Sequence, residues 1–166
     1  MPNYRRPKRT GATIFFTVCL ADRQSDLLVR RISVLRDVVR RTRAERPFEI
    51  AAWVVLPDHL HCVWALPEGD GNFSMRWNVI KARFAYALEG GKQRPSHRKR
   101  RERGIWQRRF WEHHIRNERD LETHVHYCWY NPVKHGLART PYDWPHSTIH
   151  RDRPEMVIDA KGDFGE

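Results

Sequence analysis

The sequence predicts an α+β domain: a ferredoxin-like βαββαβ core, an antiparallel sheet with helices on one face, and one further C-terminal helix. Three observations predict it. Apolar runs rich in β-branched and aromatic residues alternate with stretches of helical period, in the order strand, helix, strand, strand, helix, strand, helix. The first six of these elements match the split βαβ arrangement. The two central runs are separated only by Pro57-Asp58, a turn signal, and so pair as a hairpin. A length of 166 residues with 40% hydrophobic residues, including seven Trp and seven Phe, suits a single domain with a real core.

Each element has its own signal. Residues 1–11, MPNYRRPKRTG, read as a basic, proline-broken arm. ATIFFTVCLA, residues 12–21, reads as the first strand. From Leu28 to about Arg46 the period changes: Leu28, Ile32, Leu35, Val38 and Val39 fall on one stripe, and Pro47 closes the helix. EIAAWVVLP and HLHCVWALP form the hairpin, and the Gly-rich EGDGN follows as a loop. Ser74 is placed to cap a helix from about Met75 to Glu89, with Trp77, Ile80 and Phe84 as its core stripe. Residues 90–104, GGKQRPSHRKRRERG, lack apolar periodicity and read as a basic loop. IWQRRFWEHHI, residues 105–115, reads as the fourth strand. Asn117 before an acidic first turn starts the last helix, which should stop at Pro132. The remainder, from about residue 138 to 166, reads as a tail of the same single domain.

Lys and Arg number 31 against 20 Asp and Glu, a formal charge of +11. That excess implies an anionic partner, most often nucleic acid. Cys19, Cys62 and Cys128 lie far apart with no CxxC spacing, which argues against a disulfide framework or zinc ribbon. Cys62 and Cys128 read as small core residues. The longest early apolar run is too short to span a bilayer, so no membrane partner and a cytoplasmic location are expected.

The hairpin carries a pattern that packing does not require. His59 and His61 are two apart in a strand, so both rings project to one face while Leu60, Cys62 and Trp64 project to the other. Such a pair is either a surface accident or two ligands of a metal. Other HxH metalloenzymes fit poorly. Binuclear hydrolases continue with Asp-His where Cys62-Val63-Trp64 stands, and barrel hydrolases need about 250 residues. On the last helix, Leu121, Val125, Cys128 and Trp129 form a core face. Thr123, His124, Tyr127 and Asn131 cluster away from it, with Tyr127 and Asn131 sharing a face at i and i+4. A tyrosine brought to a polar site from this helix is therefore Tyr127 in preference to Tyr130. Most of the seven tryptophans read as core, with Trp106 and Trp111 as candidate platforms for unpaired bases.

PDHLHCVWALP, SMRWNVIKARF, IWQRRFWEHHIRNERDLETH and HYCWYNPVKHGLA together resemble the single-tyrosine HUH transposases, and within them the REP-associated branch. The resemblance covers most of residues 4–140. It implies metal-dependent cleavage and transfer of single-stranded DNA at hairpins through a 5′-phosphotyrosine link. It maps the nucleophile to Tyr127, the histidine ligands to His59 and His61, and the third-ligand position to Asn131. It implies Mg²⁺ or Mn²⁺ as cofactor and a monomer in preference to a dimer. The basic residues expected to meet the DNA are Arg5 and Arg6 of the arm, Lys81 and Arg83 of the second helix, Arg98, Lys99, Arg100 and Arg101 of the loop, and Arg108 and Arg109 beyond it. Two other readings stay open: a hairpin-binding protein without catalysis, and a metal nuclease that forms no covalent link.

Overall fold

In the computed structural model of the chain, the structure describes residues 9–88 and 104–154. The described chain runs β1 (Thr13–Cys19), α1 (Leu27–Arg30), α2 (Ile32–Glu45), β2 (Glu49–Val55), β3 (His59–Ala65), α3 (Phe73–Leu88), β4 (Trp111–His114) and α4 (Glu118–Lys134). A 3₁₀ turn at Pro141–Asp143 and a short α5 (Ile149–Asp152) follow. The four strands form one sheet in the order β2-β3-β1-β4, with every neighbouring pair antiparallel. β3 lies between β1 and β2, the arrangement expected of a split βαβ core.

Strand alternation sorts the side chains into two layers. Ile14, Phe16 and Val18 of β1 and Leu60, Cys62 and Trp64 of β3 bury themselves on one face. α2 covers that face with Leu35, Val38 and Val39, and α3 with Trp77, Ile80 and Phe84. Trp64 stacks on Trp77 at 4.4 Å and on Phe48 at 4.0 Å, so aromatic rings fill the centre of the core. Phe16 packs against the rings of Trp64, Phe73, Trp77 and Phe110 and is fully buried. Phe16→Ala should therefore lower the unfolding free energy by about 3–5 kcal/mol, read from denaturant unfolding.

The opposite face carries Phe15, Ala52, Val54 and Val63, and α4 covers it through Cys128, Leu121 and Val125. His59 and His61 belong to this second layer. The added helix thus lies across the sheet from α2 and α3, directly over the histidine pair.

Several boundaries differ from the expected ones. The first helix is interrupted at Arg31, dividing it into α1 and α2. α3 begins two residues before Met75, and its cap is not Ser74: the Met75 amide donates to Asn72 Oδ1 at 3.1 Å. Starting there lets Phe73 join the core as well. The fourth strand is much shorter than residues 105–115. Leu20 pairs with Trp106, and Thr17 pairs with Trp111, so four residues oppose the two between Thr17 and Leu20. The two extra residues bulge out, placing Arg108 and Arg109 in solvent and turning Phe110 onto Phe16 and Trp77. α4 does not stop at Pro132 but runs to Lys134. Within the expected tail, residues 146–148 line the free edge of β2, with Val55 N–H donating to His146 O and Thr148 N–H to Trp53 O.

Candidate functional site

The site begins with the β1–β3 register. Thr17 lies opposite His61 and Cys19 opposite His59, so these side chains share the α4 face. The two imidazoles sit edge to face, with ring centroids 4.9 Å apart, and each is about 5% exposed or less. They are buried beneath α4, not open in a cleft.

Each ring is held by one nitrogen. His59 Nδ1–H donates to Asp58 Oδ1 at 2.8 Å, and Arg23 Nε donates to the other oxygen of that carboxylate at 2.6 Å. His61 Nδ1 shares a 2.8 Å hydrogen bond with Thr17 Oγ1. Fixing Nδ1 aims Nε2 of each ring away from its support, as in metal sites where an outer partner sets the tautomer. His61 Nε2 is buried and has no hydrogen-bond partner among the described residues.

Burial favours the neutral form of both rings. Burial lowers the His61 pKa to about 3, with the charges of His59, His135, Lys134 and Arg23 pushing the same way. Burial also lowers His59, although the Asp58 carboxylate opposes it. Burial works against the Asp58 carboxylate too, but the hydrogen bonds from His59 and Arg23 prevail and hold it below its ordinary value. Neutral imidazoles offer lone pairs, the state a metal ligand requires.

α4 supplies the rest. Asn117 caps it by accepting from the Asp120 amide at 2.8 Å, as the sequence predicts. The ring of Tyr127 stands edge-on to His61 at 5.1 Å and to Phe15 at 5.7 Å, while 39% of the residue stays exposed. Phe15 also stacks on His61, so it forms the apolar floor between histidine and tyrosine. Lys134 Nζ lies 5.1 Å from the Tyr127 ring centroid. Tyr130 is half exposed, and its ring neighbour is His126.

The stripe bearing Tyr127 and Asn131 therefore faces the sheet and not away from it. Asn131 is 1% exposed, and both atoms of its amide lack hydrogen-bond partners among the described residues. A helical projection that buries only apolar residues sets it away from the core. The layer beneath it is itself polar, and that reverses the inference. Three buried, unsatisfied polar atoms on Asn131 and His61 are costly unless something binds them.

A second cluster was not expected. His113, Asp120 and His124 place their ligand atoms within 4.8 Å of one another, close enough to hold a cation. Their donors are already engaged: His113 Nε2–H donates to Asp120 Oδ2 at 2.9 Å, and His124 Nδ1–H to Asp120 O at 2.8 Å. The two rings stack at 4.6 Å. This group braces β4 against the first turns of α4, whereas His61 Nε2 and both amide atoms of Asn131 have no partner among the described residues.

The other named residues separate into three groups. Lys81 donates to Gln107 O at 2.9 Å, and Arg83 pairs with Glu45 at 2.6 Å, so both already tie α3 to its neighbours. Arg108 and Arg109 are exposed on the bulge. Arg5, Arg6, Arg98, Lys99, Arg100 and Arg101 lie outside the described residues. Trp111 is 68% exposed, while Trp106 packs on Phe84. Sequence reading missed Asp58 and Thr17. Asp58 was legible only as a turn residue, and Thr17 only through the register. No described helix is long and apolar enough to cross a membrane.

No family model matches the chain. It is 49% identical over 165 residues to a REP-associated tyrosine transposase of Escherichia coli (strain K12), covering 98% of this chain and 93% of that protein. A Haemophilus influenzae relative named for the same family is 44% identical, over 92% of this chain and 88% of that protein. A solved structure of a REP-associated tyrosine transposase bound to a REP hairpin superposes with a TM-score of 0.83 at 47% identity. It covers 95% of this chain and 88% of that one.

Proposed function

The chain belongs to the REP-associated tyrosine transposases, and from that premise we propose that it cleaves and rejoins single-stranded DNA beside hairpins, with Tyr127 as nucleophile. The observation that carries this reading is the 5.1 Å approach of the Tyr127 ring to His61, beside a buried amide and imidazole that have no partner among the described residues. His59, His61 and Asn131 would hold a divalent ion, Mg²⁺ or Mn²⁺. Their donor set of two neutral imidazoles and one amide fits such an ion, and Mn²⁺ accepts imidazole more readily than Mg²⁺. The ion supplies Lewis-acid polarisation of the scissile phosphate.

The chain's own groups do the rest. Tyr127 Oη attacks phosphorus, the P–O3′ bond breaks, and the leaving strand departs as a 3′-OH. The tyrosyl proton passes to solvent, the leaving O3′ takes one up from solvent, and a 5′-phosphotyrosine remains. Phe15 and the packed base of α4 fix the ring, so attack needs little reorientation. Lys134 adds positive charge beside the ring as the phenolate develops. The retained phosphodiester lets the 3′-OH of another strand reverse the step without an external energy source.

The test is incubation with a hairpin-bearing single strand, a divalent ion and a denaturing gel. A detergent-resistant protein–DNA adduct supports the proposal. Cleavage without adduct indicates a metal nuclease, and binding without cleavage a hairpin-binding protein.

Two variants probe the supports. Asp58→Asn keeps the shape beside His59 but removes the carboxylate charge, so metal affinity should fall about 10–100-fold in a Mn²⁺ titration. Replacing Arg98, Lys99, Arg100 and Arg101 with serine should weaken binding to cognate and scrambled hairpins alike. The salt slope should shrink by about 0.7 to 0.9 for every phosphate that the variant no longer neutralises. An unchanged slope would move the DNA path elsewhere, with the exposed Arg108 and Arg109 the next to test.

A further inference from the structure

We propose that His135 is an additional protein ligand of the cation assigned above to His59 and His61, an inference that rests on that reading. His135 is the residue on which α4 ends. The ring centroids of His59 and His135 are 5.1 Å apart at 71°, nearly repeating the 4.9 Å and 82° of His59 and His61. An imidazole nitrogen lies about 2.1 Å from a bound ion of this size, so two rings on one ion have centroids roughly 4.5–5.2 Å apart. Both pairs fall in that range, but the ligand nitrogens of the three rings do not all lie within 4.8 Å of one another, so His135 has to turn to share the ion.

The backbone fixes His135 there. Gly136 N–H donates to Val133 O at 3.0 Å and Leu137 N–H to Pro132 O at 2.9 Å, a Schellman ending. It requires the positive φ of +70° that Gly136 adopts. His135 N–H donates to Asn131 O at 3.0 Å, which links the ring's position to the buried amide one turn earlier. Tyr127, Asn131 and His135 recur at i, i+4 and i+8, one stripe over the histidine layer. The ring of His135 makes no hydrogen bond among the described residues, and the residue is exposed, so it can turn towards an ion. A histidine at a helix C-terminus also suits the helix dipole. That role accounts for its place in the chain, but not for its edge-on approach to His59.

The test uses Mn²⁺ itself. Electron paramagnetic resonance follows the free ion for affinity, and electron spin echo modulation counts imidazole nitrogens on the bound ion. The proposal expects three nitrogens in the wild type and two in both His135→Ala and His135→Gln. Mn²⁺ affinity should fall roughly tenfold or more, while the thermal midpoint without metal stays unchanged in His135→Gln. An unchanged nitrogen count in the variants would overturn the proposal. If His59→Ala loses the ion and His135→Ala binds as wild type does, only this inference fails. If the wild type shows no coordinated imidazole, the metal reading fails with it.

Discussion

Tyr127→Phe should reduce DNA cleavage to background while hairpin affinity stays within about twofold of wild type. The substitution removes one oxygen. The ring packing with His61 and Phe15 is retained, so α4 keeps its seat on the sheet. The tyrosine is partly exposed and its hydroxyl supports no packing, so stability should not move by more than the usual surface effect, about 0.5 kcal/mol. Loss of activity would then reflect chemistry and not folding. Tyr130→Phe is the matched control, because its ring lies against His126 and away from the histidine pair. Gel-shift titration and single-turnover cleavage of the same oligonucleotide separate the two effects. Cleavage surviving in Tyr127→Phe and abolished in Tyr130→Phe would reassign the nucleophile.

The second large effect is expected of His61→Ala. It removes the buried imidazole whose Nε2 has no partner among the described residues, and with it one of the proposed ligands. Metal-dependent cleavage should vanish, and Mn²⁺ affinity should fall by more than the 10–100-fold expected for an outer-sphere change. Stability should respond to pH in a defined direction. The folded state holds His61 near a pKa of about 3 by burial, against an ordinary value of 6.5. Unfolding therefore takes up a proton as pH falls below about 6.5, and that contribution to stability declines progressively towards pH 3. His61→Ala should lose this acid sensitivity, while above pH 7 the cavity and the missing Thr17 hydrogen bond cost stability. A chelator that leaves wild-type activity unchanged would remove the metal from the mechanism.

Much of this arrangement was legible in the sequence, for local reasons. Period-two and period-3.6 patterns located the strands and helices, Pro57-Asp58 located the hairpin, and Asn117 located the start of α4. The shared face of His59 and His61 followed from strand geometry alone. What escaped detection depends on partners distant in the chain. The bulge at residues 107–110 exists because Phe110 finds the rings of Phe16 and Trp77, and no local signal announces that. Helix α4 continues through Pro132 because packing on the sheet offsets the missing amide hydrogen bond. Asn131 was placed outward by a rule that buries only apolar residues, and it fails where one polar layer meets another. Asp58 and Thr17 gained their roles only once strand register placed them behind the two imidazoles.

The proposed chemistry turns on a covalent link at one tyrosine. Peptide mapping of the protein–DNA adduct, after tryptic digestion and nuclease trimming, locates that link. Cleavage after Arg119 and Lys134 releases residues 120–134, which hold both Tyr127 and Tyr130. Fragment-ion masses then place the residual nucleotide. The added 5′-phosphonucleotide should sit on Tyr127, in wild type and in Tyr130→Phe, and be absent from Tyr127→Phe. A nucleotide on Tyr130, or cleaved DNA with a free 5′-phosphate and no modified peptide, would contradict the mechanism.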